Sequence, residues 1–161
     1  KRWIYEESVR TPLLARFPGR ARAGLASKPM AANIDLPETF LEAAGLPAAD
    51  GMQGRSLLPL LRGEPPSDWR KSFYYHYYEE GEHNVPRHCG VRTDRYTLAH
   101  YYDSDEWELF DRERDPHEMR SVYADASYTA TVRELKAEMV RLRRELRVPD
   151  VDPDRVSAAK K

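Results

Sequence analysis

The sequence has little cysteine, no long apolar run and no excess of charge of either sign. Cys89 is the single cysteine in 161 residues, which excludes an intrachain disulfide and a cluster of thiolate metal ligands. No run approaches the roughly 18 apolar residues of a membrane-spanning helix, so we expect no membrane span. The 26 Lys and Arg residues nearly balance 27 Asp and Glu residues, which argues against a nucleic-acid-binding protein that acts through a general basic field.

Metal-ligand spacing is also missing. The histidines are scattered, without a His-x-x-x-His pair and without a carboxylate at ligand spacing. The stretch DVDPD at 150–154 resembles the start of a calcium loop, but the residues that would complete such a loop are absent. We therefore expect no metal site within this chain.

The first half of the chain predicts one strand and two helices. The stretch TPLLARFPG at 11–19 has the composition of a short buried strand. A helix is expected at about 36–44, with Asp35 as its N-cap, Glu38 three residues later and Gly45 just past its end. A shorter helix is expected in RSLLPLLRG, where Ser56 would cap the start and Gly63 would end it.

The second half predicts strands and a closing helix. Three or four antiparallel strands are expected in SFYYHYYEE, in HCGVRTDRYTLAHYY around a turn at 93–95, and in EWELFD. In RERDPHEM, Asp115 and Glu118 have the spacing of a helix cap. The last helix follows from apolar residues three and four apart, which are Val132, Leu135, Met139, Leu142 and Leu146. The sequence therefore predicts an α+β fold.

Several residues could carry chemistry. Lys1 could bind a tetrahedral oxyanion as a point charge, or it could belong to a solvated terminus. Glu6 is expected to pair with Arg10 rather than to act with Glu7, because adjacent residues of an extended segment point to opposite faces. Cys89 beside His88 could be a nucleophile, although sequence neighbours seldom reach the orientation that a Cys–His pair needs.

Aromatic residues surround His76. Tyr74, Tyr75, Tyr77 and Tyr78 could form with His76 a wall on which a sugar ring stacks. Alternate residues of a strand point to opposite faces. Some of these tyrosines are therefore expected in the core.

Five stretches, taken in order, carry a resemblance to a known family. They are KRWIYEESVRTPLL, NIDLPETFLEAAGLP, MQGRSLLPLLRG, CGVRTDRYTL and EWELFDRERDPHEM. Over about residues 1–147 the chain resembles the C-terminal part of the type I sulfatases, in the branch of the glycosaminoglycan and N-sulphoglucosamine sulfatases. The resemblance implies the end of an alkaline-phosphatase-like α/β domain at 1–66, a small antiparallel sheet with a packed C-terminal helix at 67–148, and a flexible tail at 149–161.

The resemblance also implies chemistry. The family's formylglycine nucleophile and its calcium ion belong to the missing N-terminal part of the same chain, so the fragment alone is expected to be inactive. Lys1 stands four residues before Tyr5, where the family has its sulfate-binding lysine, and would stabilise charge on the leaving oxygen. His88 and Arg92 lie in a stretch that resembles the family's substrate-facing turn and are expected to contact the sugar or its sulfate; the alternative is packing within a hairpin, with Arg92 paired to Asp94 at the surface. His76 is expected to contact the substrate from the aromatic wall described above.

The expected function is hydrolysis of sulfate esters or sulfamates on a sulfated carbohydrate. Two alternatives are a phosphonate or phosphodiester hydrolase of the same superfamily and a non-catalytic module that binds anionic glycans. No nucleic-acid partner is expected. The compartment is unknown, and the resemblance implies a periplasmic or secreted protein.

Overall fold

A computed structural model describes residues 2–79 and 83–149. It divides the chain into two compact units. One unit combines the N-terminal residues to Thr11 with the chain from Ser72 onward, and the other comprises Pro12–Lys71. The domain boundaries expected at 66/67 and 148/149 stay a prediction.

A four-stranded antiparallel sheet forms the centre of the first unit. Its strands follow one another in space as they do in sequence, as the aromatic and β-branched stretches predicted. The hairpin between the second and third strands turns at the expected place, where the Thr93 hydroxyl accepts hydrogen bonds from the backbone of Arg95 and Tyr96. The strands are β1 Ser72–Tyr77, β2 His88–Thr93, β3 Tyr96–Tyr101 and β4 Glu106–Asp111.

The predicted closing helix packs on one side of this sheet. It is Thr129–Glu145, which we number α4 because three helices precede it, and a 3-10 helix at Ala126–Tyr128 leads into it. The predicted stripe is confirmed for Val132, Leu135, Met139 and Leu142, which pack in the core with the sheet. Leu146 lies just past the end of the helix. The shared core consists of Cys89, Val91, Leu98, Leu109, Tyr128, Leu135, Met139 and Leu142. Among the described residues no helix is apolar enough over a sufficient length to cross a membrane.

Alternate side chains of each strand point to opposite faces of the sheet. A different part of the chain covers each face. We call the side that packs on α4 the helix face. The other side, which we call the contact face, packs against residues 2–9. Gly90 lies on the contact face, where a Cβ atom would stand 2.2 Å from the Leu98 carbonyl oxygen and 2.6 Å from Ile4 Cδ1.

An ion pair joins the β2–β3 turn to the end of β4 and to the helix. Arg95 donates to both oxygens of the Asp111 carboxylate at 2.8 and 2.7 Å, and the Tyr128 hydroxyl donates to it at 2.9 Å. Asp111 is buried. The hydrogen bond from Arg95 is the main cause that lowers the Asp111 pKa from 3.8 to about 2.

The second unit contains the other two longer helices, α2 Asp35–Ala43 and α3 Leu58–Arg62; α1, Glu6–Val9, belongs to the first unit. Gly45 and Gly63 end α2 and α3 in the left-handed region, as predicted. The predicted N-cap is wrong, because Asp35 is itself the first residue of α2.

Asp35 serves instead as a buried junction. Its carboxylate accepts hydrogen bonds from the Ala32 and Arg55 amides at 2.7 and 2.9 Å, and from both terminal nitrogens of Arg70. Glu38 accepts the Gly54 amide at 2.8 Å. The side chains at the expected capping-box positions therefore hold the loop that leads to α3.

Two further local predictions are wrong. Residues 11–17 form no strand, and Leu14 is 95% exposed, because an apolar run without a hydrogen-bonded neighbour does not make a strand. No helix follows Asp115 before residue 126. Glu118 instead turns inward and is buried.

The packing of α4 predicts unequal effects for two aliphatic residues of the same helix. Leu142→Ala removes a side chain that is 7% exposed, so we expect it to lower the free energy of unfolding by about 2–5 kcal/mol. Val140→Ala, at a residue that is 45% exposed, should change it by less than about 0.5 kcal/mol. Urea denaturation measures both. Equal losses would contradict the assigned stripe.

The Asp111 ion pair predicts a pH dependence. Its pKa is lower in the folded than in the unfolded state, so the interaction stabilises the fold above about pH 4 and is lost as the pH falls toward about 2. We expect Asp111→Asn to be less stable than wild type by about 2 kcal/mol at neutral pH from this source, with a difference that shrinks below pH 4. Denaturation curves between pH 2 and 7 measure it, and a constant difference would contradict the prediction.

Candidate active-site segment

Residues 2–9, which we call the N-terminal segment, lie on the contact face of the sheet. Ile4 is fully buried and packs with Ala99 and Tyr101. The absence of a side chain at Gly90 gives Ile4 its room. The segment ends in the short helix α1. The sheet therefore supports this stretch along its length.

Tyrosine hydroxyls hold the start of the segment. Tyr75 donates to the Arg2 carbonyl oxygen at 2.7 Å. Tyr5 and Tyr101 both donate to one oxygen of Glu108, at 2.6 and 2.9 Å. Burial is the main cause that raises the pKa of Tyr5 and of Tyr101, so both hydroxyls stay protonated and remain donors at neutral pH.

A group of two acids and two arginines, of which Arg92 and Glu118 are buried, holds the end of the segment. We call it the charge cluster, and it comprises Glu6, Arg92, Arg112 and Glu118. Glu6 pairs with Arg92 and with Arg112, the latter at 3.2 Å. Arg92 also lies 3.7 Å from Glu118 and donates to the Ile4 carbonyl oxygen at 3.3 Å. Two positive and two negative groups balance, which is what burial of charge requires.

Burial dominates the electrostatics of this cluster. It lowers the pKa of Arg92 to about 10, with a further contribution from the neighbouring Arg112. It also raises the pKa of Glu118, against hydrogen bonding by Thr97 and the attraction of both arginines. Loss of one partner would leave an uncompensated charge in the interior, which is strongly destabilising.

Glu118 reaches the cluster from a strained backbone. Its φ of 53° lies in the left-handed region, which costs a non-glycine residue about 1 kcal/mol or more. Its carboxylate accepts the Glu6 amide at 2.6 Å and the Thr97 hydroxyl at 2.5 Å. These bonds compensate the strain and attach the segment to the β4–α4 connection.

His88 lies in an aromatic surround beneath the start of the segment. The rings of Trp3 and Tyr75 stack on it at centroid distances of 5.5 Å each. Its Nδ1 donates to the Pro86 carbonyl oxygen at 2.8 Å, which leaves Nε2 as the acceptor of the neutral ring. Burial lowers the His88 pKa. Nε2 is buried and has no hydrogen-bond partner among the described residues.

The structure brings two of the four predicted site residues together. Arg92 and His88 lie on the contact face with the N-terminal segment, at 5% and 0% exposure. His76 pairs with Cys89 in the sheet register and lies on the helix face. Lys1 lies outside the described residues. The roles of these four residues in substrate binding stay predictions.

The tyrosines of β1 divide between the two faces. Tyr74 contacts His76, with its hydroxyl 3.0 Å from Nδ1, and the His76 ring stacks on Tyr78 at 3.8 Å. Tyr75 and Tyr77 contact His88 on the other side. The expectation that some of these tyrosines belong to the core is confirmed for Tyr77, which is buried.

The sequence reasoning missed three members of this site. The sequence pattern predicts a helix cap for Glu118. It places Arg112 in a turn and Glu108 in a strand, and it indicates no functional role for either. Glu118 and Arg112 bind Glu6, and Glu108 binds Tyr5. In each of these pairs the two residues are more than 100 positions apart in the sequence. The one feature of the sequence that pointed to this site was the predicted pairing of Glu6 with Arg10, which is confirmed at 3.2 Å. Arg10 is one of the three arginine partners of Glu6 among the described residues.

Burial outweighs the partners that would activate Cys89, because hydrogen bonding by Tyr74 and the charge of Arg143 lower its pKa by less than burial raises it. Cys89 is buried on the helix face, and burial raises its pKa, which disfavours the thiolate. His88 points to the opposite face. Among residues 2–79 and 83–149 no group of three or more His, Cys, Asp or Glu side chains could hold a metal ion.

Comparisons with known proteins identify the family. Residues 1–145 match the model of the C-terminal region of N-sulphoglucosamine sulphohydrolase. An N-acetylglucosamine-6-O-sulfatase of Bacteroides thetaiotaomicron is 42% identical over 158 residues, which cover 96% of this chain and 28% of the relative.

Solved structures share the fold. A protein in complex with its substrate D-glucosamine-2-N,6-O-disulfate matches with a TM-score of 0.89 and 40% identity, over 94% of this chain and 32% of that one. A phosphonate monoester hydrolase from Silicibacter pomeroyi matches with a TM-score of 0.61 and 27% identity, over 74% and 25%.

The chain thus spans less than a third of the length of the Bacteroides N-acetylglucosamine-6-O-sulfatase. The small antiparallel sheet with its C-terminal helix is the arrangement that the resemblance implied, and it is shared by solved proteins of the alkaline-phosphatase-like fold. The family match and the relative both extend over most of the sequence. The chain belongs to the sulfatase family, of which it represents the C-terminal part.

Proposed function

We propose that this chain is the C-terminal part of a sulfatase that hydrolyses a sulfate ester on a sugar of glycosaminoglycan type. The observation that carries the proposal is the 42% identity to an N-acetylglucosamine-6-O-sulfatase over 96% of the chain. The structural match at a TM-score of 0.89 to a protein bound to a sulfated glucosamine supports it. A 6-O-sulfated glucosamine is therefore the first substrate to test.

Lys1 is the residue of this chain that we propose for catalysis. Its ammonium would contact the sulfate and stabilise the negative charge that develops as the ester oxygen leaves, because a fixed cation favours the transition state over the ground state. Such a cation must be held in place. The residues that follow Lys1 are anchored to the sheet and would hold it.

Anchoring of the N-terminal segment supports this role. Tyr75 fixes the Arg2 carbonyl oxygen, which belongs to the residue directly after Lys1, and Ile4 fills the space above Gly90. The charge cluster then fixes Glu6. A segment held at three places along residues 2–6 has little freedom, and this would lower the entropic cost of fixing the preceding lysine on substrate binding.

We propose positioning roles for His88 and Arg92 beside this segment. Both are at most 5% exposed, and their partners are Trp3, Tyr75, Ile4 and Glu6. Direct contact of His88, Arg92 or His76 with the sugar stays a prediction. A role in holding the segment needs no rearrangement of the packed rings.

The nucleophile and the metal are proposed to come from the preceding part of the enzyme. The resemblance implies that a hydrated formylglycine there would supply the nucleophilic oxygen and that a calcium ion would be bound beside it. Residues of the present chain would bind and orient the sulfate and exclude water from one side. The isolated chain would then be inactive.

The two alternatives make different demands. A phosphonate hydrolase shares the fold, yet its match is at 27% identity against 42% for the sulfatase relative. A free-standing glycan-binding module would need no residues before Lys1. The reading frame upstream separates the module from the enzyme, because a Cys-x-Pro-x-Arg or Ser-x-Pro-x-Arg motif there supports the sulfatase.

Removal of the Lys1 side chain tests the catalytic role. In the complete protein, Lys1→Ala should lower kcat for sulfate release from 6-O-sulfated glucosamine by about 100- to 1000-fold, since one charge-stabilising group is lost. Lys28→Ala, at an exposed lysine, is the matched control and should leave kcat unchanged. Equal rates for all three proteins would remove Lys1 from the site.

Removal of the Arg92 side chain tests the charge cluster. Arg92→Met leaves Glu6 and Glu118 buried with Arg112 as their remaining arginine within the cluster, so we expect a loss of about 3–5 kcal/mol in the free energy of unfolding. Arg10→Met removes a second partner of Glu6 that is 80% exposed, and should cost less than about 1 kcal/mol. Urea denaturation compares the two. Similar losses would refute a special role for the buried pair.

A further inference from the structure

A groove lies at the C-terminal end of α4. It has a volume of about 530 Å³ and is lined by Val140, Arg143, Arg144, Arg147, Val148 and Pro149. We call it the arginine groove. A second hollow of about 540 Å³ adjoins it along the helix, lined by Lys136, Ala137, Val140, Arg141 and Arg144. Val140 and Arg144 line both, so the two hollows are continuous.

The cations of the arginine groove differ from the neighbouring Arg141 in their ion pairs. Arg141, in the adjoining hollow, pairs with Glu138 at 2.7 Å and with Glu145. Among the described residues, no carboxylate lies within ion-pair distance of Arg143, Arg144 or Arg147. Three positive charges therefore stand together on a protein whose net charge is −1. Such a local excess attracts anions, although the whole molecule has no basic field.

One of these arginines is held in place. Arg143 donates to the Tyr74 hydroxyl at 3.3 Å and to the Pro149 carbonyl oxygen at 3.0 Å. Both partners are neutral, so they orient the guanidinium without cancelling its charge. An oriented guanidinium loses little entropy when it binds an anion. The groove is therefore prepared for a ligand with negative groups.

The spacing favours an extended ligand. From Lys136 to Arg147 the helix and its end advance about 16 Å, at roughly 1.5 Å per residue. Guanidinium groups form paired hydrogen bonds with tetrahedral oxyanions and with carboxylates. The lining contains no aromatic side chain on which a nucleobase could stack. These features favour a flexible polyanion with sulfate and carboxylate groups over a nucleic acid.

We propose that the arginine groove binds a sulfated glycosaminoglycan chain. This inference rests on the proposed function, since the polymer is there the source of the sulfated sugar. The groove lies on the helix side of the sheet, whereas the N-terminal segment lies on the contact face. It holds the polymer by its charge, and binding raises the local concentration of substrate chains around the enzyme.

Charge reversal in the groove tests the proposal. The complete protein with Arg144→Glu and Arg147→Glu is titrated with an end-labelled heparin-derived dodecasaccharide at physiological salt, and anisotropy gives Kd. We expect about tenfold weaker binding per arginine, or about a hundredfold for the pair. The matched control carries Arg16→Glu and Arg120→Glu, the same charge change at two exposed arginines, and should lose less than threefold. Equal losses would overturn the groove.

Two further titrations identify the occupant. A single-stranded oligonucleotide of equal charge should bind at least tenfold more weakly than the dodecasaccharide; tighter binding would overturn the glycan assignment. Residues 150–161 follow the groove in sequence and contain Asp150, Asp152 and Asp154. Their deletion should change Kd by less than threefold. A gain of more than tenfold would assign the groove to this segment instead.

Turnover separates this inference from the proposed function. For the paired groove variant we expect kcat/KM on a sulfated monosaccharide to equal that of wild type, and kcat/KM on the polymer to fall by at least about tenfold. If wild type released no sulfate but the groove variants still lost binding, the proposed function would fail and the groove would stand. Wild-type turnover with unchanged polymer binding in the groove variant would overturn the groove alone.

Discussion

The buried pair of Glu6 and Arg92 is the interaction on which the first unit depends. It connects the start of the chain to the middle strand pair, almost ninety residues later in sequence, and the side chains of Arg92 and Glu6 are only 6% and 15% exposed. Charges in such a place are stable only when each has its partner. The N-terminal segment is therefore held firmly by few groups, and its position follows from the sheet rather than from its own helix propensity.

The sheet has two faces that perform separate tasks. The helix face joins the strands to α4 through an apolar core. The contact face carries tyrosines, His88 and the charge cluster, and it receives the segment that follows Lys1. If α4 were its only cover, the four-stranded sheet would expose the contact face. Covering both leaves the charged surface of α4 free for a different partner.

Local patterns predicted the secondary structure of this unit well and its site only in part. The stripe of α4 and the turn at 93–95 depend on neighbours within a few residues, so their spacing was sufficient. The cap assigned to Glu118 failed because its carboxylate has partners at Glu6 and Thr97. The prediction of a strand at 11–17 was wrong because apolar composition does not supply a neighbouring strand with which to form hydrogen bonds.

The sequence by itself determined the family, the order of the strands and of the last helix from residue 72 onward, and the pairing of Glu6 with Arg10, since each depends on residues adjacent in the chain or on motifs in a fixed order. The tertiary structure decided which side chains meet. It separated His76 from His88 by the alternation of strand side chains, and it gathered the charge cluster from three distant elements. Contacts of that range depend on how the strands pack, which no local spacing encodes.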